Sequence, residues 1–422
     1  MHNRVTSDKS TQHRFVLGIL GMPGSGKSEI ARFLRNCGFP VIRLGDFIEI
    51  EVKRQGMSPG PSSEAIVRTS LRDEFGTDVL ARKVLDGLSE NESTLLFVLD
   101  GVYSPDEDNL LRVELSTSYF TIATLCDRVI RYNRLENRDH RHLKHSEALK
   151  RDMQEMQVLR KADTIVMADH FVVNNSDVRS LLEASFDKIV QHVVDMDVNE
   201  LSSLIKAPVE ELISFIDEGR GTHDQELWIL IARAQLTEDP VLAWYVCRLI
   251  GDSAYQEGIY YLLFVGQKDD IEFDRSSLHR IAAQSLGKLG SDSSSVVPFL
   301  TAESWSTRQF AADALGEIGD PQVLGDLFHC LSDEPSDEVI KWIALSIAKL
   351  SKGVWRDSSI ERLVKVIGES GGKRQLWAID CLARIDLQLA RRSLQMVPNS
   401  NLDGDVEKLR SELVSLYMTG EE

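Results

Sequence analysis

GMPGSGKSE (residues 21–29) lies between an apolar run, FVLGIL, and a segment, EIARFLR, whose apolar residues recur at helical spacing. This order predicts a buried strand, a glycine-rich turn and a helix. The spacing of Gly21, Gly26-Lys27 and Ser28 is that of a Walker A phosphate-binding loop, a motif that requires this strand-turn-helix context. An accidental GKS in an ordinary turn is the alternative interpretation. We call residues 21–28 the P-loop.

Each residue type in the P-loop suits phosphate binding. Glycines let the backbone turn its N–H groups toward a phosphate, and the N-terminus of the following helix adds partial positive charge. Lys27 is expected to reach the β- and γ-phosphates, and Ser28 is expected to bind Mg²⁺. The pattern therefore predicts that ATP and Mg²⁺ bind at residues Gly21, Met22, Pro23, Gly24, Ser25, Gly26, Lys27 and Ser28.

The composition narrows the class of protein. A length of 422 residues predicts two or three domains. No run is apolar enough for a membrane span or a signal sequence, so we expect a cytoplasmic protein. The five cysteines form no C-x-x-C pair and are interpreted as reduced packing residues. Residues 200–422 carry 22 Lys and Arg against 36 Asp and Glu, which is −14 of the net −18 and disfavours nucleic-acid binding.

Two kinds of pattern divide the chain near residue 195. Before it, helical segments alternate with the strand-like runs FVLGIL, PVIRLGDF, TLLFVLDGV, YFTIATL and HFVVNN. Such alternation predicts a parallel sheet covered by helices. After it, the sequence predicts only helices with short turns. We therefore predict an α/β P-loop kinase domain over residues 13–195, followed by an all-α solenoid resembling HEAT repeats over residues 200–418.

The second half contains a repeated pattern of small and apolar residues. Its apolar centres recur at steps of 29, 32 and 35 residues, which is typical of helix-pair repeats. The small residues allow neighbouring helices to approach closely, and an ordinary amphipathic bundle is the alternative. The copies are AAQSLGKLG (282–290), AADALGEIG (311–319), IALSIAKLS (343–351) and AIDCLARID (378–386), centred on Leu286, Leu315, Ile347 and Leu382.

Two carboxylates follow predicted strands of the first half. Asp46 comes after PVIRLG, which places it at the carboxyl end of a strand and facing the P-loop. There it could accept a proton from a substrate hydroxyl or hold a metal-bound water, although a plain helix N-cap is the alternative. Asp100 ends the apolar run LLFVLD, at the position of a Walker B acid that orients Mg²⁺.

The segment from residue 128 to residue 151 is strongly basic, with six Arg and two Lys against three acids. Arginines at spacings of three and four lie along one helical face, and guanidiniums stabilise charge on a transferring phosphoryl group. This predicts a mobile lid over ATP, with a solvated, ion-paired helix as the alternative. His140, His142 and His145 have no cysteine partner, so we interpret them as lid surface rather than as a metal site.

These stretches together resemble nucleoside-monophosphate-kinase-type P-loop proteins, and most of all the archaeal dephospho-CoA-kinase-like or adenylate-kinase-like proteins. The stretches are GMPGSGKSE, GFPVIRLGDFI, RDEFGTDVLA (72–81), DGVYSPDE (100–107) and ADHFVVNN (168–175). The resemblance covers about residues 13–195. It implies Mg²⁺ at Ser28 and Asp100, and a catalytic set of Lys27, Asp46, Arg134 and Arg138. It further implies cofactor contacts from Arg128, Arg131 and Arg141, and a nucleotide base near Asn174.

The chain departs from this pattern at two positions. Relatives commonly carry arginine where this sequence has Glu49 and Tyr103, and those arginines hold the phosphate of the acceptor. A carboxylate in place of a guanidinium makes a nearby anion unfavourable. Phosphorylation of AMP is therefore not expected unless another arginine substitutes, the candidates being Arg54, Arg68 and Arg72.

Two functions remain open from the sequence. The first is a kinase that uses MgATP on a small nucleotide-like or CoA-precursor-like acceptor, with the repeats serving oligomerisation or docking of a protein partner. The second is an ATP-operated switch or ATPase, whose repeats bind a protein partner when the lid closes. The P-loop and the basic segment favour the kinase, whereas Glu49, Tyr103 and the fused repeats favour the switch.

Overall fold

The computed structural model describes residues 15–88, 95–102, 104–138, 142–193, 199–268, 270, 272–273, 276–397 and 404–418. The chain forms two compact units. The first runs to Ala207 and adds Trp228–Thr237, and the second comprises Pro208–Leu227 and the chain from Glu238 onward. The domain boundary near residue 195 stays a prediction. No helix in the described part of the chain has the length and apolar character needed to cross a bilayer.

The first unit alternates strands and helices in the order predicted. Its first elements are β1 (Phe15–Gly21), α1 (Lys27–Asn36), β2 (Val41–Arg43), α2 (Leu44–Arg54), α3 (Pro61–Phe75), α4 (Val79–Leu88), β3 (Leu96–Asp100) and α5 (Pro105–Leu115). They are followed by β4 (Tyr119–Leu125), α6 (Arg128–Glu136), α7 (His145–Gln157), α8 (Lys161–Val166), β5 (His170–Val173), α9 (Val178–Val193) and α10 (Asn199–Lys206).

The five strands form one parallel sheet in the order β2-β3-β1-β4-β5. In this register Asp100 pairs with both Ile19 and Arg43, and Gly21 pairs with Thr124. The carboxyl ends of the strands therefore lie along one edge, where ligands bind in open α/β sheets. The predicted α/β fold is confirmed, and the sheet places the P-loop, Asp100 and the start of α2 at this edge.

The chain from Pro208 onward consists almost wholly of helices. In order they are α11 (Val209–Asp217), α12 (Asp224–Thr237), α13 (Pro240–Asp252), α14 (Ile259–Val265), α15 (Leu278–Leu289), α16 (Trp305–Ile318) and α17 (Leu324–Asp333). They continue with α18 (Asp337–Leu350), α19 (Arg356–Glu369), α20 (Gly372–Ile385), α21 (Leu387–Met396) and α22 (Gly404–Met418). A two-residue antiparallel pair, β6 (Glu272–Phe273) with β7 (Ser276–Ser277), lies before α15 and is too short to show in the sequence pattern.

The helices that carry the repeated pattern, α15, α16, α18 and α20, stack on one another in chain order. Small residues let them approach closely: a β-carbon on Gly316 would lie 2.3 Å from the Ser346 hydroxyl, which donates to the Ala312 carbonyl at 2.7 Å. The predicted centres Leu286, Leu315, Ile347 and Leu382 are fully buried. The prediction of HEAT-like helical repeats is confirmed.

One helix of the second half contributes to the core of the first unit. Trp228 in α12 is 1% exposed, and its ring lies 5.4 Å from Phe39 and 5.9 Å from Phe186. Further along α12, Gln235 accepts a hydrogen bond from Asn36 in α1 and donates one to the Phe33 carbonyl. Residues 228–237 thus pack on the back of the helix that begins in the P-loop.

Candidate functional site

The P-loop has the conformation of an anion cradle. Gly24 and Gly26 have φ angles of 78° and 105°, a region that favours glycine. A β-carbon on Gly26 would lie 2.3 Å from the Asn174 side chain, so another residue would displace the loop. No side chain caps the N-terminus of α1 at Gly26, and the first N–H groups of a helix have no intrahelical partner. These N–H groups are therefore available to a phosphate.

Two carbonyl groups of the P-loop, those of Gly21 and Met22, accept hydrogen bonds from donors within the loop itself. Lys27 Nζ donates to the carbonyls of Gly21 at 2.8 Å and Met22 at 3.1 Å. Inside the loop, the Ser25 N–H donates to the Met22 carbonyl. The ammonium of Lys27 therefore joins the end of β1 to the start of the loop, and its contact with phosphate stays a prediction.

Two side chains from distant parts of the chain bind two further carbonyls of the loop, those of Pro23 and Ser25. Arg131 donates to the Pro23 carbonyl at 2.8 Å, and Asn174 donates to the Ser25 carbonyl at 2.8 Å. Both side chains are buried, Arg131 at 6% exposure and Asn174 at 2%. The loop is further anchored by a 2.5 Å hydrogen bond between the hydroxyls of Ser25 and Thr124. The cradle is therefore preorganised by side chains as well as by its glycines.

The arginines of the basic segment have different surroundings. Arg134 donates to both the backbone and the side-chain oxygen of Asn174, at 3.1 and 3.2 Å. Arg131 also forms a buried ion pair with Asp152 in α7, at 2.5 Å. Arg128 is exposed at the start of α6, and Arg138 is half-buried just beyond its end. Arg141 lies outside the described residues, and the predicted contacts of all these arginines with ATP stay predictions.

Ser28, Asp100 and Asp46 supply oxygen atoms around the same edge of the sheet. The side chain of Ser28 is exposed at the start of α1, and Asp100 ends the neighbouring strand. Burial raises the pKa of Asp46, and the carboxylates of Glu49 and Asp100 add to that effect, while the Arg43 guanidinium opposes it. Hydroxyl and carboxylate oxygens are the ligands that Mg²⁺ prefers. The donor set fits a magnesium ion, and its binding by Ser28 and Asp100 stays a prediction.

A second cluster of charges surrounds Lys27. Burial and, to a smaller extent, the Lys161 ammonium lower the pKa of Lys27, Asp100 opposes them, and the result is a pKa of about 7. Lys161 forms a buried ion pair with Glu155 at 2.8 Å, and Arg151 contacts the same carboxylate at 3.1 Å. Burial alone would raise the pKa of Glu155, but Lys161 and Arg151 outweigh it and lower the pKa to about 2. Three cations thus surround one carboxylate beside the P-loop.

One of the two positions where the sequence departs from its resemblance, Glu49, takes part in an ion pair. Glu49 pairs with Arg43 at 3.0 Å, so its carboxylate is not the unpaired charge that the sequence suggests. Arg43 also pairs with Asp46 at 3.2 Å. Tyr103 lies outside the described residues.

The histidines of the basic segment do not form a metal centre in the described chain. The Nε2 atom of His145 lies at hydrogen-bond distance, 3.1 Å, from the side-chain oxygen of Asn133, and the side chain of His142 is exposed. The described residues contain no group of three or more His, Cys, Asp or Glu side chains arranged to hold a metal ion. His140 lies outside the described residues, as Arg141 does. The interpretation of these histidines as lid surface stays a prediction.

Four residues of the site escaped the sequence analysis, namely Thr124, Asp152, Glu155 and Lys161. Thr124 is a polar residue near the carboxyl end of a mainly apolar strand, which is a recognisable signal. The other three appear in sequence as ordinary residues of a charged helix, because the ion pairs of Asp152 and Lys161 become buried only after α7 and α8 pack near the P-loop. Only Thr124 could have been identified from the pattern alone.

Comparisons with known proteins agree with this arrangement. Residues 20–160 match a family model described as an AAA domain, and residues 272–348 and 293–383 match a model of HEAT repeats. A UPF0200 protein of Methanothermobacter thermautotrophicus is 32% identical over 165 residues, which make up 39% of this chain and 83% of that protein. A UPF0200 protein of Pyrobaculum aerophilum is 30% identical over 177 residues, 42% of this chain and 96% of that protein.

The extent of these matches decides the family of the chain. The similarity spans most of the length of both relatives, while the HEAT repeats occupy a part of the chain beyond the AAA-domain match. The P-loop conformation and the five-stranded parallel sheet give the first unit a kinase-like fold. The chain is a member of the UPF0200 family, and in this chain a P-loop kinase-like domain is joined to HEAT repeats.

Proposed function

We propose that the protein is a MgATP-dependent phosphotransferase that acts on the hydroxyl group of a small metabolite. The observation that carries the proposal is the P-loop itself. Its carbonyls at Gly21, Met22, Pro23 and Ser25 are bonded to Lys27, Arg131 and Asn174, and no side chain caps the first N–H groups of α1. Such a cradle at the N-terminus of a helix stabilises the phosphates of a nucleotide.

The residues around the P-loop support a transfer reaction. In the proposed step the acceptor oxygen attacks the γ-phosphorus, the bond from γ-phosphorus to the β,γ-bridging oxygen breaks, and ADP leaves. Asp46 takes the proton of the acceptor hydroxyl, for which a raised pKa is suitable. Mg²⁺ bound through Ser28 and Asp100 would neutralise charge on the phosphates. Lys27 is proposed to bridge the β- and γ-phosphates and Arg138 to stabilise the transferring group, whereas Arg134, which the sequence also predicts for that role, is bonded to Asn174 beside the P-loop.

The HEAT repeats support a role in docking. Stacked helical repeats expose long surfaces that suit protein partners or a second copy of the same chain. We propose that they bring the kinase-like domain to a protein partner or join copies of the chain. The acidity of residues 200–422 disfavours nucleic acid as that partner.

A nucleotide-operated switch is the second candidate function. The observation in its favour is the pairing of Arg43 with both Asp46 and Glu49, which leaves this part of the crevice poorly suited to a phosphorylated acceptor. In a switch, ATP would bind and hydrolyse slowly, and the repeats would respond through a partner. The two candidates differ in whether an acceptor accelerates turnover.

The test is ATP turnover by the full chain, measured with and without a panel of nucleosides, nucleoside monophosphates and dephospho-CoA. Stimulation by one acceptor supports the kinase, and slow turnover that no acceptor changes supports the switch. Lys27→Ala is expected to abolish turnover in either case, because it removes the ammonium that is proposed to bridge the phosphates. Lys83→Ala, which alters an exposed lysine on α4, is the matched control. Equal turnover by Lys27→Ala and the natural chain would contradict both functions.

A further inference from the structure

The side of the crevice opposite the basic segment is formed by the end of β2 and by α2. The guanidinium of Arg43, at the end of β2, pairs with two carboxylates at once, Asp46 at 3.2 Å and Glu49 at 3.0 Å. One guanidinium shared between two carboxylates leaves the trio with a net charge of −1. A phosphate dianion brought to this trio would have to displace a carboxylate from Arg43 or accept its repulsion.

The three other arginines that could hold an acceptor phosphate are also engaged: Arg72 and Arg54 form ion pairs, and Arg68 in α3 has a contact of its own. Arg72 is only 11% exposed and pairs with the fully buried Glu107 at 2.9 Å. Releasing a buried carboxylate from its partner costs about 3–5 kcal/mol, so Arg72 is not available to a ligand. Arg54 forms a two-pronged contact with Glu51 on the exposed face of α2.

The distribution of charge separates the two sides of the crevice. From Arg43 to Phe75 the chain carries six acids and five bases, and Asp100 at the adjoining strand end brings the total to −2. On the other side, the described residues of the basic segment, 128–138 and 142–151, carry seven bases and two acids, which is +5. Coulomb attraction therefore places a polyanionic nucleotide on the basic side, whereas the α2 side favours a neutral or positively charged molecule.

We infer that the phosphoryl acceptor is a neutral or cationic hydroxyl compound that carries no phosphate next to its reacting oxygen. This inference rests on the proposed phosphotransferase function and adds the chemical class of the acceptor. The groups that would recognise the acceptor are two carboxylates. Asp46 would lie next to the reacting hydroxyl. Glu49 follows one turn further along α2, and its oxygen accepts a hydrogen bond from Arg43 or, in the complex, from a donor group of the acceptor. Carboxylates accept hydrogen bonds from hydroxyl and ammonium groups and repel phosphate.

Diadenosine pentaphosphate is a suitable probe because it joins an ATP-like half to a nucleoside-monophosphate half. A site built for a monophosphate acceptor binds both halves and gains affinity over ATP. In calorimetric titrations with Mg²⁺, we expect the affinity of the full chain for this probe to exceed its affinity for ATP by less than about tenfold. An affinity for the probe more than about tenfold above the affinity for ATP would overturn the inference.

Variants of α2 supply the second arm of the experiment. Glu49→Gln removes one of the two carboxylates from Arg43, so we expect affinity for the probe to rise about tenfold while affinity for ATP stays within about twofold. Glu51→Gln changes an acid of the same helix that pairs with Arg54, and we expect no change in affinity for the probe. An equal effect of the two variants, or none from Glu49→Gln, would contradict the placement of Glu49 on the acceptor side.

The outcomes also distinguish the inference from the function on which it rests. If the natural chain binds neither ATP nor the probe, the proposed function fails. If ATP binds in a manner that depends on Lys27 but the probe binds far more tightly, the phosphotransferase remains supported and only the class of acceptor is wrong.

Discussion

The exchange of Asn174 for aspartate isolates one hydrogen bond that shapes the P-loop. The amide of Asn174 donates to the Ser25 carbonyl at 2.8 Å, and its oxygen accepts from Arg134 at 3.2 Å. Aspartate has the same shape and keeps the contact with Arg134. It replaces the N–H donor by an oxygen, which repels the Ser25 carbonyl, and so the loop must move or leave that carbonyl unsatisfied.

The size of the effect follows from the burial of this contact. A net hydrogen bond contributes about 1 kcal/mol, and leaving a buried carbonyl without a partner costs about 1–3 kcal/mol. Because the loop must regain its cradle shape to bind phosphate, we expect at least about 2 kcal/mol of this loss to appear in nucleotide binding. That corresponds to an affinity for MgATP about 30-fold lower in Asn174→Asp.

The assay is calorimetric titration with a non-hydrolysable ATP analogue, accompanied by thermal melting. The neighbouring Asn175 provides a matched control, because its oxygen accepts from the Asp127 N–H in the adjacent loop rather than touching the P-loop. Asn175→Asp preserves that acceptor, and we expect nearly natural affinity. If Asn174→Asp binds the analogue as well as Asn175→Asp does, Asn174 does not position the loop and the reasoning is refuted.

Two further predictions concern stability. Because breaking one side of a buried ion pair leaves Lys161 unpaired, Glu155→Gln should lower the free energy of unfolding by about 3 kcal/mol at pH 7. Because the folded protein lowers the pKa of Glu155 to about 2, this carboxylate stabilises the fold fully above its unfolded pKa and loses that effect as the pH falls toward 2. In denaturant titrations, the difference in unfolding free energy between Glu155→Gln and the natural chain should therefore shrink over that range. A difference that does not depend on pH would contradict this prediction. A fragment of residues 13–195 lacks the packing of Trp228 on Phe39, and we expect it to be about 3–5 kcal/mol less stable than a fragment of residues 13–237. Equal stability in chemical unfolding would instead support a boundary near residue 195.

The elements that the sequence predicts correctly are those whose signal is local. The run FVLGIL, the glycine turn and the helix that follows are adjacent, and their order alone defines the P-loop. The repeats are also local, because the same small residues recur wherever two helices must approach closely. The sheet strands are apolar throughout, as buried parallel strands must be.

What the sequence conceals are the contacts between distant segments. Arg131 is 108 residues from the Pro23 carbonyl that it holds, and Asn174 is 149 residues from Ser25. Both residues were predicted as ligands of ATP, because no pattern within the basic segment or β5 indicates a contact with the loop backbone. The apolar residues of α12 likewise show that it is buried but not which unit buries them.

These contacts bear on the roles of the arginines. For Arg131 to reach a phosphoryl group, it would have to leave both the Pro23 carbonyl and the buried Asp152 carboxylate. Separating that ion pair costs about 3–5 kcal/mol, which is as much as a strong phosphate contact returns. Arg134 would in turn release Asn174, and with it the second support of the loop. The energetics therefore favour Arg131 and Arg134 as residues that position the P-loop, and they leave direct contact with the transferring phosphate to Lys27 and to arginines outside this pair.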